Sequence, residues 1–331
     1  MKSKAVTKAD ALHAAVEAAR WAPSVHNTQP WTFAVAGEEI SLRADTERKL
    51  RIGDADGREL LVSCGAALFT LRTALACQGY EPAVRVAPDP DRPSLLALVR
   101  PVDAIEADEH TRLLGEQIKL RRTHRAGFTT LPVPDRLVDM LTRQAAAEGA
   151  RLVPFREPPE LAIVAGVTRA AQGAQSRDRL SALEVSRWAR PPGSSRTDGV
   201  PARAYPREAT RGGFAQRDYA RGHDWGYTAD QRLSDSAGVV ALLTTTGDAR
   251  EDWLAAGQAL QRILLHAAAY GLSAAFHTQA LEFPLLRAFL SAELCDQAHP
   301  QMIMRLGFTF DDTTGVRRPL SEVLEIRDES P

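Results

Sequence analysis

An internal repeat restricts the possible folds of this chain more than any other feature of its sequence. The stretch DGRELLVSCGAALFTLRTALACQGY, which begins at Asp56, aligns without a gap with DAREDWLAAGQALQRILLHAAAYGL, which begins at Asp248. The positions identical in both copies are, in the first copy, Asp56, Arg58, Glu59, Gly65, Ala67, Leu68, Ala76 and Gly79. Two Ala-rich helices can share residues by accident, but the shared Asp-x-Arg-Glu start favours a duplication.

Each copy of the repeat reads as one long helix. An acidic residue stands near its start and a glycine at its end, which are common start and stop signals of a helix. Small residues recur on one face of each copy, Gly65 and Ala67 in the first, and Gly257 and Ala259 in the second. Because the distance between packed helices depends on the side chains at the contact, we expect these two helices to approach closely.

Short strands are predicted around both helices. Residues 39–45 and 238–246 read as strands before the first and second helix. Residues 95–101 and 302–308, after the two helices, are short apolar runs suited to buried strands. The chain is therefore predicted to be an α+β protein with two related halves, each with a small sheet packed by helices. We expect the first half to comprise residues 1–108 and the second residues 109–331.

The composition is that of an ordinary soluble protein, with 44% hydrophobic and 25% charged residues among 331. The formal net charge of −1 argues against a general nucleic-acid binder, which would carry a basic excess. No run approaches the ~18 apolar residues of a membrane helix, and the N-terminus lacks the apolar core of a signal peptide. The cysteines Cys64, Cys77 and Cys295 are widely spaced, so no disulfide framework or zinc site is expected. We expect a cytoplasmic protein without a membrane or nucleic-acid partner.

Residues 186–232 form a long segment with no sustained periodicity, rich in Gly, Pro and Arg. An irregular connection of this length is usually a functional lid or a disordered linker. The aromatic residues of the segment favour a lid; they are Trp188, Tyr205, Phe214, Tyr219, Trp225 and Tyr227.

The segment APSVHNTQPW, residues 22–31, combines turn-forming and amide residues with tryptophan. Such density of Pro, Ser and Asn predicts a short loop. The side chains of Ser24, Asn27 and Gln29 could hydrogen-bond a heteroaromatic ligand, or they could cap the strand that follows.

The segment RRTHR, residues 121–125, would place Arg121, Thr123 and Arg125 on one side of an extended backbone. Two guanidinium groups beside a hydroxyl suit an oxyanion, phosphate above all, although a solvated basic turn has the same composition. Arg317 and Arg318 could add to such a site or form a surface turn.

The remaining candidate motifs are weak. A single histidine after the second repeat helix, His277, is more often structural than catalytic, and HDWGY at 223–227 only hints at an acid–base pair. The chain contains no Gly-x-Gly-x-x-Gly, no P-loop, no His-Glu-x-x-His and no Gly-x-Ser-x-Gly. Rossmann-type nicotinamide binding, nucleotide hydrolysis, zinc proteolysis and α/β-hydrolase chemistry therefore lack their expected signatures.

Taken together, RRTHRAGF and APSVHNTQPW resemble two signatures of the nitroreductase family of flavoproteins. In that family both occur in one short chain, the basic one first, and a homodimer builds two FMN sites across its interface. Here the order is reversed, as a fused pseudo-dimer that keeps one of the two sites would require. With its long insertion in the second half, the chain resembles the Acg subfamily.

This resemblance implies a single FMN site between the two halves. Arg121, Thr123 and the C-terminal arginine would hold the phosphate, and Arg125 would lie near the N1–C2=O edge of the ring. The segment after the second repeat helix would pass N5 and O4 with backbone donors. The residues implied to contact FMN are Pro23, Ser24, Val25, Asn27, Gln29, Arg121, Arg122, Thr123, Arg125, His277, Thr278, Gln279 and Arg317.

The resemblance further implies an oxidoreductase in which NAD(P)H reduces FMN at N5 and the electrons pass to a quinone or nitroaromatic. The flavin carries the chemistry, so no catalytic side chain and no metal is implied, and a monomer would act as the pseudo-dimer. Two departures from the family bear on this: Val25 replaces a common second serine, and residues 186–232 would cover the ring. A flavin-sequestering protein with a covered site and a scaffold with a decayed site therefore stay open as alternatives.

Overall fold

The computed structural model describes residues 7–207, 214–228, 238–310 and 315–326. The elements of the first half are α1 (Lys8–Ala19), β1 (Trp31–Ala36), β2 (Glu39–Ala44), α2 (Arg58–Cys77), β3 (Tyr80–Val86) and β4 (Leu95–Ala104). The elements of the second half are α3 (Glu109–Gln117), α4 (Asp135–Ala146), β5 (Arg151–Phe155), α5 (Pro158–Arg177), α6 (Arg179–Trp188), β6 (Ala189–Arg190), β7 (Val200–Pro201), β8 (Val239–Thr245), α7 (Arg250–Ala269), β9 (Leu272–Phe276), α8 (Pro284–Leu294), β10 (His299–Phe308) and β11 (Leu324–Ile326).

Each half builds one sheet, which confirms the predicted α+β class. The second half forms a four-stranded antiparallel sheet in the order β5-β8-β10-β9. The first half forms a sheet in the order β11-β1-β2-β4-β3, antiparallel except at its edge. That edge strand, β11, comes from the end of the chain and pairs in parallel with β1, with Leu324 opposite Phe33. All the predicted strands are present, but the sequence did not indicate that the second half completes the sheet of the first.

The two repeat helices, α2 and α7, begin at aligned residues and pack against each other between the sheets. Their closest approach is at the aligned glycines. A Cβ atom placed on Gly65 would collide with the carbonyl oxygen of Leu254 and lie 2.9 Å from the Cα of Gly257. A Cβ atom on Gly257 would collide in the same way with the carbonyl oxygen of Val62. The predicted close contact through small residues is confirmed.

Helix α2 also corrects one expectation from the sequence. We expected no segment apolar enough for a membrane helix, but α2 is long and apolar enough to cross a membrane by length and composition alone. In the fold, 83% of its most apolar window is buried. Its hydrophobicity is that of a core helix, covered by α1, α7 and the first sheet.

The segment 186–232 is partly regular where the structure describes it. It contains the end of α6, the two-stranded parallel pair β6–β7 and a bridge between Pro206 and Tyr227. Four of its six aromatic side chains are buried, namely Trp188, Tyr205, Phe214 and Tyr219. Residues 208–213 and 229–232 of the segment lie outside the described residues. The described part is therefore packed against the rest of the protein; that the segment 186–232, called the lid below, acts as a lid stays a prediction.

Candidate functional site between the two halves

A cavity lies where the two halves meet. The first half contributes the loop Pro23–His26 and the first turns of α2, and the second half contributes Thr123, Arg125, Phe276, Thr278 and Gln279. Residues 205–206 and 216–219, from the segment 186–232, also line it. Its apolar lining is supplied by Val62, Leu260, Phe276 and Met302. Both halves of the chain thus contribute to one cavity with a partly apolar floor and a polar rim, the usual composition of a ligand site.

The loop from the first half has an unusual backbone. His26, Asn27 and Gln29 have positive φ angles of 46°, 55° and 51°. Such conformations cost of order 1 kcal/mol or more for residues other than glycine and persist only where the surroundings impose them. Here the amide of Gln29 donates to Ser24 Oγ at 2.9 Å, and the amide of Val25 donates to Oγ of Ser63 on α2 at 3.2 Å. The strain is thus localised in a loop that lines the cavity.

The two amide side chains of this loop have different positions. Gln29 is fully buried away from the cavity; its Nε2 donates to the Thr197 carbonyl at 3.0 Å, and its Oε1 accepts from the Arg318 amide at 2.8 Å. Asn27 Nδ2 donates to the Gly199 carbonyl at 2.9 Å, and its Oδ1 accepts from Arg317 at 3.0 Å. Gln29 therefore fixes the lid and the C-terminal segment, whereas Asn27 reaches a second cavity.

That second cavity adjoins the first and has several arginines in its lining. It shares Ser24, Thr123 and Arg125 with the larger cavity. Arg122 and Arg317 complete its basic lining. The structure thus brings together the basic segment, the C-terminal arginine and the Asn27 loop, which are far apart in the sequence.

Arg121 lines neither of these two cavities; it is only 4% exposed and borders a separate pocket beside Gln117 and Ala274. Its Nη2 is 3.5 Å from the Trp21 carbonyl oxygen, which also accepts a hydrogen bond from Arg317 Nη2 at 3.1 Å. Within the described residues, Nε and Nη1 of Arg121 and Nε of Arg317 have no hydrogen-bond partner. Buried donors are almost always paired, so these orphaned guanidinium donors are available to an anion.

The electrostatics of this cluster favour the same conclusion. Burial, followed by repulsion from Arg122 and Arg125, lowers the pKa of Arg121 to about 9. Burial and the neighbouring arginines, Arg121 first among them, hold the pKa of Arg317 well below its usual range. The Trp21 ring partly offsets this repulsion, since the guanidinium carbons of Arg122 and Arg317 lie 5.2 and 5.7 Å from its centroid. A bound dianion would offset it more fully.

The segment after β9 reaches the larger cavity with some of its side chains only. Thr278 and Gln279 line the cavity, but His277 is fully buried beside it. His277 Nε2 is 2.8 Å from Arg305 Nε and Nδ1 is 3.1 Å from the Ala215 carbonyl oxygen. Burial and the Arg305 charge lower the pKa of His277 to about 3, so the ring is neutral. Its side chain connects β10 to the lid, which is the structural alternative considered for it.

The lid is attached to the cavity walls by specific contacts. The hydroxyl of Tyr219 is 2.7 Å from Nδ1 of His26. The Arg125 guanidinium carbon lies 5.8 Å from the centroid of the Tyr219 ring. On the other side, Arg217 forms an ion pair with Glu282 and donates to Gln175 Oε1 at 3.2 Å. The cavity is thus covered by a segment that is hydrogen-bonded to both halves.

Several residues of the site were not among those predicted to contact FMN. Glu59, His26, Arg217 and Tyr219 all line the larger cavity. The only prior signal for Glu59 was its identity in both repeats. The HDWGY segment does not line the cavity: its His223 stacks on Trp225 at 4.3 Å, and its Asp224 pairs with Arg207 at 2.7 Å.

Comparisons with known proteins identify the family. A family model described as "Nitroreductase family" matches residues 2–88. A Mycobacterium tuberculosis protein named "Putative NAD(P)H nitroreductase Rv3131" is 32% identical over 309 residues, which cover 92% of this chain and 88% of that protein. Another from the same organism, "Putative NAD(P)H nitroreductase acg", is 30% identical over 330 residues that cover 96% of each chain.

A solved structure of a nitroreductase with bound FMN from Desulfitobacterium hafniense aligns with 65% of this chain and 98% of its own, at 14% identity and a TM-score of 0.41. The identity to the mycobacterial proteins, which extends over almost the whole length, is the decisive finding. The chain belongs to the nitroreductase family, in its Acg-like group.

Proposed function

We propose that this chain binds FMN in the cavity between its halves and acts as an NAD(P)H-dependent oxidoreductase toward a small acceptor such as a quinone or nitroaromatic. The observation that carries the proposal is the buried cationic cluster beside a partly apolar cavity. The names of the relatives and the FMN in the solved family structures support it.

The residues present fit a flavin phosphate. Arg122, Thr123 and Arg317 line the smaller cavity, and Arg121, which has orphaned buried donors, shares the Trp21 carbonyl oxygen with Arg317. Guanidinium and hydroxyl groups bind phosphate oxygens through charge-assisted hydrogen bonds. We assign the phosphate to this cluster, because a dianion would satisfy buried donors and reduce the repulsion among the arginines.

The larger cavity would take the flavin ring. Pro23, Ser24 and Val25 supply one wall, and Thr278 and Gln279 supply part of the other. Bound FMN would supply a carrier of two electrons, and the protein would supply orientation and electrostatics. Arg125, which lines both cavities, is the cation suited to stabilise negative charge that develops on the ligand.

A flavin-sequestering protein is the second candidate function, and the lid favours it. Tyr219 and Arg217 cover the cavity and are bonded to opposite walls. An acceptor that stacks on the ring would need these contacts to break. The two candidates therefore differ in whether residues 186–232, the lid, open during a catalytic cycle.

We further propose that one chain suffices for the site. The loop comes from the half 1–108 and the basic segment from the half 109–331, so a monomer can act as a pseudo-dimer. We propose that the protein works in the cytoplasm without a membrane or nucleic-acid partner.

Anaerobic stopped-flow absorbance of the FMN-loaded protein tests the proposal. The protein is mixed with NADPH or NADH, and the flavin band is followed; a quinone is added afterwards. Rapid bleaching and reoxidation would establish the oxidoreductase. Bleaching by dithionite but by neither nucleotide would establish the sequestering alternative, and a failure to retain FMN would overturn both.

A further inference from the structure

One buried carboxyl group lines the larger cavity and is not among the residues assigned to FMN above. Glu59, in the first turn of α2, lines the larger cavity although it is only 3% exposed. Its Oε1 accepts a hydrogen bond from Arg58 Nη2 at 3.1 Å. Its Oε2 is buried and has no partner within the described residues. A carboxyl group with an unused oxygen in a ligand cavity is available to a bound molecule.

The charges that surround Glu59 explain how such a group is tolerated. At the start of α2, the carboxylate of Asp54 accepts hydrogen bonds from the backbone amides of Glu59 and Leu60, at 2.9 and 2.8 Å. Glu282 lies on the other side and is paired with Arg217 of the lid. The group therefore contains the carboxyls Asp54, Glu59 and Glu282, but only the guanidinium groups Arg58 and Arg217.

One proton would balance these charges. Burial, followed by the repulsion from Glu282, raises the pKa of Glu59 to about 8. The Glu59 carboxyl is then protonated at neutral pH and can donate a hydrogen bond, as carboxyl acids in apolar enzyme sites do.

We propose that Glu59 is the proton donor of this cavity and delivers to a two-electron acceptor the proton that must accompany its reduction. The inference rests on the proposed oxidoreductase function and adds a residue to it. A quinone needs two electrons and two protons to become a hydroquinone. NAD(P)H releases two electrons and one proton as hydride, so one further proton is required.

In this step the O–H bond of the Glu59 carboxyl breaks and an O–H bond forms on the acceptor oxygen. The carboxylate that results is stabilised by Arg58 and by Arg217, and it regains a proton from solvent. Since Arg217 belongs to the lid, this stabilisation operates while the cavity is covered. Proton transfer from a positioned acid contributes about 10²- to 10⁴-fold to typical reaction rates.

Other titratable groups on the cavity are less suited to this role. The pKa of His26 is held well below its usual range by burial and by the Arg217 and Arg125 charges, so the ring carries no extra proton. Asp218 is exposed, and its Oδ1 accepts the Arg221 amide at 2.8 Å. Glu59 alone, among the described carboxyls that line the cavity, is buried with an unpaired oxygen.

The test compares Glu59→Gln with the wild type and with Glu251→Gln. Glu251 is the aligned glutamate of the second repeat and is exposed, so it is a matched control. Each FMN-loaded protein is reduced with dithionite and then reoxidised anaerobically by a quinone or by ferricyanide. Ferricyanide takes one electron and no proton, so only the quinone reaction requires a donor.

We expect Glu59→Gln to reoxidise about 10-fold or more slowly with the quinone and within about twofold of wild type with ferricyanide. Glu59→Asp should recover part of the quinone rate and its pH dependence. Equal quinone rates for Glu59→Gln and wild type would overturn the proposal, and so would an equal slowing with ferricyanide. Because dithionite replaces NAD(P)H here, failure of the nucleotides to reduce the flavin leaves this test intact and counts only against the proposed function.

A measurement without turnover gives the second arm. In protein labelled with ¹³C at the glutamate carboxyl carbon, nuclear magnetic resonance follows each group against pH. A glutamate signal that titrates near pH 8 and is missing only from Glu59→Gln would support the assignment. A Glu59 signal that is ionised throughout pH 6–7 would overturn it.

Discussion

At the scale of single residues, the two aligned glutamates of the repeat have opposite environments. Glu59 is buried in the cavity and Glu251 is exposed, although both follow the same Asp-x-Arg start. The charges of Glu282 and of Arg217 in the lid lie close to Glu59. A sequence comparison shows that the positions correspond but not that one of them is enclosed by other charges.

The protonation of Glu59 should appear in the pH dependence of stability. Its pKa is raised from 4.5 to about 8 in the folded protein, so its proton stabilises the fold below pH 4.5 and this contribution is lost as the pH rises to 8. Relative to Glu59→Gln, the wild type should lose free energy of unfolding over this interval, by about 1.4 kcal/mol per pH unit at most. Urea denaturation at pH 5, 6, 7 and 8 measures the difference. A difference that does not change with pH would contradict the buried acid.

The cationic cluster gives a second residue-scale prediction. Arg121→Ala combined with Arg125→Ala removes a buried guanidinium from the phosphate cluster and the cation shared by both cavities. We expect FMN retention to be abolished, with affinity reduced by at least about 100-fold, since each charged hydrogen bond contributes about 1.5–3 kcal/mol. Fluorescence titration of the apoprotein with FMN measures the affinity. The exposed pair Arg136→Ala and Arg143→Ala on α4 is the control, and a fully loaded double variant would show that the site lies elsewhere.

Most of the residues predicted to contact FMN line one of the two cavities, but the sequence did not indicate the direction of every side chain. Ser24, Thr123, Arg125 and Arg317 reach the cavities because short loops hold them at the interface. Gln29 does not reach a cavity, since the positive φ angles in its loop turn its side-chain amide toward Thr197 and the C-terminal segment. Such a conformation depends on tertiary contacts that no local pattern encodes.

At the scale of elements, the crossing of α2 and α7 is the best predicted feature. Both helices begin at the aligned arginines, and the aligned glycines lie at the contact. The pattern could be recognised because close helix packing restricts side-chain size at a few positions. The pairing of β11 with β1 could not, because a three-residue strand has too short a pattern to indicate its partner.

A substitution at this crossing should be costly. In Gly257→Ala the new methyl group would collide with the Val62 carbonyl and force the helices apart. Overpacking of this kind typically costs 1–3 kcal/mol, and we expect about 2 kcal/mol or more in the free energy of unfolding. Chemical denaturation measures the loss. Gly166→Ala on α5 is the control, since a Cβ there meets no atom within 4 Å and should be neutral or stabilising.

The lid contacts give a prediction at the same scale. Tyr219→Phe removes the hydrogen bond to His26 but retains the buried ring. A lost hydrogen bond costs about 1 kcal/mol, so the open population of the lid should rise about fivefold. Hydrogen exchange of residues 214–221 measures this, with Tyr270→Phe, at an exposed position, as control. Unchanged exchange in this segment would mean that the Tyr219 contact does not limit opening.

At the scale of the whole molecule, the two halves are connected more extensively than a duplication requires. The C-terminal segment contributes Arg317 to the cationic cavity. The Arg318 backbone amide donates a hydrogen bond to Gln29 Oε1, and the segment ends as a strand of the first sheet. The second half therefore completes both the site and the sheet of the first. The sequence indicated two related halves, but their mutual dependence is a property of contacts between distant segments.

This architecture predicts one flavin per chain. The basic segment occurs only in the second half and the Asn-Gln loop only in the first, so the repeat does not create a second matching pair. Titration of the apoprotein with FMN, with protein concentration from amino-acid analysis, should end at one equivalent. Light scattering during chromatography should give a mass near 36.1 kDa for the loaded protein, because a single chain carries both walls of the site. Two equivalents of FMN, or flavin binding only in a dimer, would show that the partner of the loop is not the basic segment of its own chain.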